Sequence, residues 1–243
     1  MTDNIPQTQA PENPDSTARN QGTVAQGLAG DYQLDFSGVI KEAWETVSGN
    51  KGTLWIGLAI YIVAHVALSF VLGLFLGGDE AGEGLADTLA TVITLPLGAG
   101  LMLLGAALAS GRTPNPTSML SWYHRFLQLA LTWVLMSILI LLGTLLLVLP
   151  GIYLAISYQL ALPLVADKGL GAWEAMETSR KTITHKWFTF FGLSLVAGLA
   201  TAGSMLLLGI PLIWVLPAII IGVGIIYRTA IGVEPGTLDQ VST

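Results

Sequence analysis

From about residue 54 onward, long apolar stretches alternate with short polar ones. Six such stretches stand at about 54–76, 88–109, 126–148, 151–166, 187–209 and 211–232. A helix rising 1.5 Å per residue needs about 20 residues to cross a hydrocarbon layer of about 30 Å. Five stretches meet that length, and the fourth is short, with Pro163 near its end. The segment 126–166 therefore reads either as two spans or as a tilted or re-entrant hairpin about Pro150-Gly151. None of the stretches alternates residue by residue as a membrane β-barrel does, so helices are predicted, each closing its own backbone hydrogen bonds.

A different periodicity precedes three of the spans. Before the first, Phe36, Val39, Ile40, Ala43, Trp44 and Val47 fall on one helical face, with Lys41, Glu42, Glu45 and Ser48 on the other. Asp35 or Ser37 can start this helix and Gly49 can stop it. Before the fifth, Trp173, Met176, Ile183 and Trp187 face one way, and Glu174, Glu177, Lys181 and Lys186 the other. Glu42-Ala43-Trp44-Glu45-Thr46 and Glu174-Ala175-Met176-Glu177-Thr178 nearly coincide. A weaker copy, Met119, Trp122, Tyr123 and Phe126, follows Pro114 and Pro116. Each reads as an amphipathic helix in the membrane interface. The pattern fits an internal triplication or a chance likeness of amphipathic helices. The predicted fold is all-α and polytopic: six transmembrane helices in three hairpins, each hairpin preceded by an interfacial helix. The units are about 36–110, 117–166 and 172–232, within a membrane domain of 35–232. Tight turns are expected at Leu149-Pro150-Gly151 and at Gly209-Ile210-Pro211.

Composition agrees. Of 243 residues, 53% are hydrophobic and 11% charged, too few charges to cover a water-facing surface. An ordinary soluble enzyme and a nucleic-acid binder are excluded, the latter also by the net charge of -6. Residues 1–34 are rich in Gln, Pro, Asn and Gly and read as a disordered tail without a signal peptide. Residues 233–243 read as a short C-terminal tail. The ten basic residues are Arg19, Lys41, Lys51, Arg112, Arg125, Lys168, Arg180, Lys181, Lys186 and Arg228. With six spans they all fall on one side, so both termini are expected in the cytoplasm and the protein in a bacterial inner membrane.

One stretch carries a resemblance. Leu149-Pro150-Gly151-Ile152-Tyr153, Ala161-Leu162-Pro163, Asp167, Gly171-Ala172-Trp173-Glu174-Ala175-Met176-Glu177-Thr178-Ser179 and Lys186-Trp187 occur in order. The series resembles that of small bacterial membrane proteins, among them the membrane domain attached to glycerophosphodiester phosphodiesterases and related six-helix families of unknown function. The likeness is best over about 145–195. It implies a six-helix membrane fold and carries no catalytic motif, and the soluble phosphodiesterase domain has no counterpart in this sequence.

Candidate chemistry is sparse. There is no Cys, no Gly-x-Ser-x-Gly, no His-Glu-x-x-His and no P-loop. His65, near the centre of the first span, is the one titratable group expected at mid-depth, without an acidic neighbour. It reads either as a proton relay or polar ligand, or as a neutral imidazole bonding the next helix. Arg180, Lys181 and Lys186, with Arg228 near the end of span six, are candidate contacts to anionic lipid headgroups; Arg228 is otherwise expected to snorkel to the interface. Asp79, Glu80, Glu83 and Asp87 form a glycine-rich outer loop, a weak candidate for a divalent cation. Small residues at Ser194, Gly198 and Ala202, and at Ala218 and Gly222, permit close helix packing. No catalytic residue, metal or cofactor is expected.

The partners expected are membrane lipids, with a homo-oligomer or another membrane protein, and no nucleic acid. Two functions fit: a non-enzymatic scaffold, regulator or assembly partner in the bilayer, or a small transporter or lipid-handling protein with a mid-membrane site near His65. Pro96, Pro163 and Pro217 favour the second, because a proline inside a span frees a carbonyl that can line a cavity.

Overall fold

A computed structural model describes residues 21–77 and 79–242, and among them every regular element is helical. In chain order these are α1 (Val24–Ala29), α2 (Phe36–Leu76), α3 (Glu80–Ala109), a 3₁₀ helix (Pro116–Arg125), α4 (Phe126–Leu146), α5 (Val148–Ser157), α6 (Ala161–Lys168), α7 (Ala172–Thr184), α8 (Trp187–Leu206), α9 (Leu212–Ala230) and α10 (Pro235–Ser242). Six stretches are long and apolar enough to cross a membrane: α2, α3, the 3₁₀ helix with α4, α5 with α6, α8 and α9. The protein is an all-α, multi-pass membrane protein.

The three hairpins share one plan. Within its most apolar stretch, the first helix of each hairpin is 6%, 17% and 17% buried, for α2, α4 and α8. The second helices, α3, α5–α6 and α9, are 78%, 44% and 39% buried. First helices therefore form the outside and second helices the core. Each leading segment then lies antiparallel on the second helix of the hairpin before it. The 3₁₀ helix sets Met119 and Trp122 against Gly100 of α3, and Tyr123 Oη donates to the Ile93 carbonyl at 3.1 Å. On α7, Ser179 Oγ donates to the Ser157 carbonyl of α5 at 2.7 Å, and Thr184 meets Tyr153 at 2.7 Å. The start of α2 closes the circle on α9: Glu42 meets Arg228 at 2.8 Å, and Trp55 Nε1 donates to the Ile213 carbonyl at 3.0 Å. This three-around arrangement is what a triplicated unit would form.

Several expectations need correction. Gly49 does not stop the first leading helix, which runs unbroken through Gly49 and Gly52 into the span, 41 residues in all. Glycine accepts helical dihedrals at a modest cost, and no proline follows to force an end. The third leading copy is not α-helical. Met119 and Trp122, three apart, share the buried face of a 3₁₀ helix with three residues per turn, begun by Asn115 capping the Thr117 N–H. The second hairpin turns at Leu147, whose extended backbone (φ -161, ψ 139) stands alone between α4 and α5. Pro150 and Gly151 lie beyond the turn, in the first turn of α5, where proline removes a donor that has no partner anyway. The acidic outer loop is mostly helix: Asp79 caps α3 through the Gly82 N–H at 2.8 Å, and Glu80 and Glu83 sit in its positive first turn.

The tails are not wholly tails either. Residues 1–20 lie outside the described residues, but 22–34 pack onto the bundle. Thr23 caps α1, Tyr32 and Leu34 are buried, and Tyr32 Oη donates to the Thr182 carbonyl at 2.8 Å. Composition averaged over 34 residues hides these few apolar anchors. At the other end α10 buries Leu238 and Val241, and the Val241 carbonyl accepts from the Asn115 N–H at 2.6 Å. Lys51 departs from the gathering of basic residues: its Nζ stands 4.7 Å over the Trp214 ring, near the end of α9 opposite Arg228.

Candidate functional site

His65 is not alone. Its Nε2 lies 3.1 Å from Asp87 Oδ1, which also accepts from Ser69 Oγ at 3.3 Å. Thr94 Oγ1 approaches His65 Nδ1 at 3.5 Å, and the Tyr61 ring stacks on the imidazole at 6.0 Å. Tyr61, His65 and Ser69 are spaced by four on α2, so one face meets α3. Sequence reasoning misses Asp87 by placing it in a loop; a helix starting at Glu80 carries it one to two turns inward. The cluster joins the outer ends of α2 and α3, and Asp87 remains two-thirds exposed.

Each of the basic candidates has a partner within the protein. Arg180 clasps Glu177 through Nε at 2.9 Å and Nη2 at 2.8 Å, and Lys181 joins the same carboxylate at 3.3 Å. These hydrogen bonds hold the Glu177 carboxyl below its ordinary range, Arg180 first, and raise the Arg180 guanidinium. Lys186 Nζ lies 5.4 Å over the Tyr32 ring, whose burial pushes its phenol up to about 12. Arg228 does not snorkel. It is 7% exposed, held bidentately by Glu42 at 2.8 and 3.3 Å, with Nη1 also donating to the Ala109 carbonyl. Its Nε is buried and has no hydrogen-bond partner among the described residues.

Beside it is a network that the sequence does not reveal. Tyr227 Oη donates to Asp167 Oδ2 at 2.7 Å, the Glu234 N–H donates to Asp167 Oδ1 at 3.1 Å, and Lys168 lies 3.5 Å from Asp167 and 2.8 Å from Glu234. The Asp167 side chain is fully buried, so these partners replace its water. The adjacent pairs Asp167-Lys168 and Tyr227-Arg228, each at the end of a second helix, were the available signal.

The fourth span is broken over Tyr158–Leu160. Pro163 has no N–H to return to the Gln159 carbonyl, which ends the helical ladder there. Buried Ser179 holds both sides of the break, donating to the Ser157 carbonyl at 2.7 Å and accepting from the Leu160 N–H at 3.2 Å. Gln159 is thereby turned toward α8, where its Nε2 donates to Ser194 Oγ at 2.7 Å.

That pair lines an apolar cavity of about 630 Å³. Much of its wall is small or aliphatic, with Val39 and Ala43 of α2, Ala197 and Ala200 of α8, and Ala218 and Gly222 of α9, and Trp44 and Tyr158 add aromatic surface. The small pair Ala218 and Gly222 of α9 thus leaves space rather than closing it, and of the α8 ladder only Ser194 lines the cavity. A second cavity, about 400 Å³ and polar, lies under the N-terminal segment, with Gln21, Gln26, Asp31, Gln33, Asp35, Glu42 and Arg228 in its wall. Val39 lines both cavities, and His65 lines neither. Comparison with protein-family models, with curated proteins and with solved structures found no match.

Proposed function

We propose that this chain is a non-enzymatic, multi-pass protein of the bacterial inner membrane that holds one hydrocarbon chain of a membrane lipid in the apolar cavity walled by all three hairpins. The observation carrying this reading is the apolar cavity itself. Its volume lies within the range of small-molecule sites, and it has few polar atoms, gathered at Gln159 and Ser194. A broken helix at membrane depth is tolerated where it is buried in protein or lines a cavity, and the break at Tyr158–Leu160 supports this one. In a bilayer the molecules at hand to fill such a space are lipid chains.

Of the two functions the sequence leaves open, this favours lipid handling over a bare scaffold and moves its site from His65 to the cavity beside Gln159 and Ser194. The charge distribution supports cytoplasmic termini. A periplasm-specific reporter placed at position 81, and silent at 115 and 170, tests the orientation; the reverse pattern overturns it. The lipid reading is tested by extracting the protein in mild detergent and weighing it by native mass spectrometry. Retained lipid near one molecule per chain is expected, and Ala197→Trp, which fills the cavity, should lower it severalfold. Protein free of lipid, or retention indifferent to Ala197→Trp, overturns the reading.

A further inference from the structure

We infer that the polar cavity under the N-terminal segment holds the headgroup of the same lipid, and that this headgroup is an amine-bearing phosphodiester. The inference rests on the hydrocarbon-chain reading above and adds the chemistry of the other end. Its first ground is position. Val39 lines both cavities, so a tail against Ala43 and Ala197 lies one side chain away from the polar space.

The second ground is the donor set. Arg228 brings a guanidinium to the wall of this cavity, with its side chain nine-tenths buried. Of the acceptors a ligand can bring, a phosphate oxygen is the one that a guanidinium meets best. Charge then selects the rest of the head. Glu42, Asp31 and Asp35 stand in the same wall, three carboxylates to one cation. A purely anionic head would meet that excess unfavourably, whereas a primary ammonium donates to it. Asp35 gives one oxygen to the α2 cap at Gly38 and Glu42 gives both to Arg228, which leaves exposed Asp31 as the best placed for the ammonium. The amides of Gln21, Gln26 and Gln33 supply donors and acceptors for the ester and glycerol oxygens.

The full chain is reconstituted in nanodiscs of equal parts phosphatidylethanolamine and phosphatidylglycerol, re-extracted, and its bound lipid counted by head class. Retention of the amine-bearing lipid about tenfold over the anionic one is expected, the size of one charge-assisted contact. Arg228 also holds the fold, so the head is probed with Asp31→Asn, which should bring the ratio near unity while total lipid stays constant. Ala197→Trp should lower both classes together. Lipid bound in bulk proportion overturns this inference and leaves the hydrocarbon reading standing; no bound lipid overturns both. Free phosphoethanolamine displacing nothing is expected, and displacement of the whole lipid by that soluble head at equal concentration would overturn the need for a tail.

Discussion

Glu42 and Arg228 are 186 residues apart in sequence, yet the carboxylate receives both terminal nitrogens of the guanidinium. The pair joins the start of the first unit to the end of the last. The Arg228 side chain is 9% exposed and that of Glu42 41%, so the two partners are not equivalent. Arg228→Met leaves a carboxylate that water reaches freely, and Glu42→Met leaves a guanidinium with little access to water. We expect Glu42→Met to cost more, about 3 kcal/mol against about 1–2 kcal/mol for Arg228→Met, as breaking a buried pair from its accessible side strands the charge inside. Thermal unfolding in detergent gives the order; equal or reversed losses would contradict it.

Ser179 serves two backbone groups at once. Removing its hydroxyl leaves the Leu160 N–H and the Ser157 carbonyl unpaired in the interior, at about 1–3 kcal/mol. Ser179→Ala should therefore lower the melting temperature and speed amide hydrogen exchange over 157–161, with the distant pair α2–α3 unchanged. Exchange that rises uniformly would show that the hydroxyl does not act at the break.

Gly224 of α9 and Gly105 of α3 cross so closely that a Cβ on Gly224 would overlap the Gly105 backbone. Gly224→Ala must push these two core helices apart, and a loss of about 2–4 kcal/mol is expected, as for other overpacked interiors. Gly198→Ala, where a Cβ meets open space, is the matched control and should cost nothing measurable on the same assay.

His65 and Asp87 tie the outer ends of α2 and α3 and touch neither cavity. His65→Asn is expected to leave lipid retention unchanged and to reduce stability by about 1 kcal/mol, the worth of one ordinary hydrogen bond. Loss of bound lipid in this variant would return the site to the first hairpin.

Tyr32 anchors the N-terminal segment through a phenol that donates to Thr182 and is raised by burial from 10.0 to about 12. Because the folded value is the higher one, the anchor's contribution is fully present below pH 10 and is lost as pH rises through about 12. Protease cleavage within 21–34 should accelerate across that window, and Tyr32→Phe should remove the dependence while raising cleavage at neutral pH.

Much of this is legible in the chain. The six apolar stretches, the three leading segments and the pentad Glu42–Thr46 repeated at Glu174–Thr178 are local patterns, and local patterns decide helices. What escapes are consequences of three-dimensional neighbours. Asp87 joins His65 only because α3 begins about two turns earlier than its apolar residues suggest. Arg228 reads as a terminal cation until α9 is seen to run beneath α2, which places Glu42 over it. The cavity is the plainest case: Ala197, Ala218 and Gly222 are spaced like packing residues, and whether small residues admit a neighbouring backbone or leave a void depends on the helix opposite. At Gly105 and Gly224 they admit one; at Gly222 they do not.

The closing of the last unit onto the first has a consequence in time. The face of α2 that carries Val39, Ala43 and Glu42 emerges from the ribosome long before the helix it will cover. At a synthesis rate of about 5–20 residues per second, the 186 residues between Glu42 and Arg228 take roughly 10–40 s to appear. Through that interval the half-made protein presents an open seam, which is sealed only when the sixth span arrives. Truncation anywhere before α9 thus leaves that seam exposed.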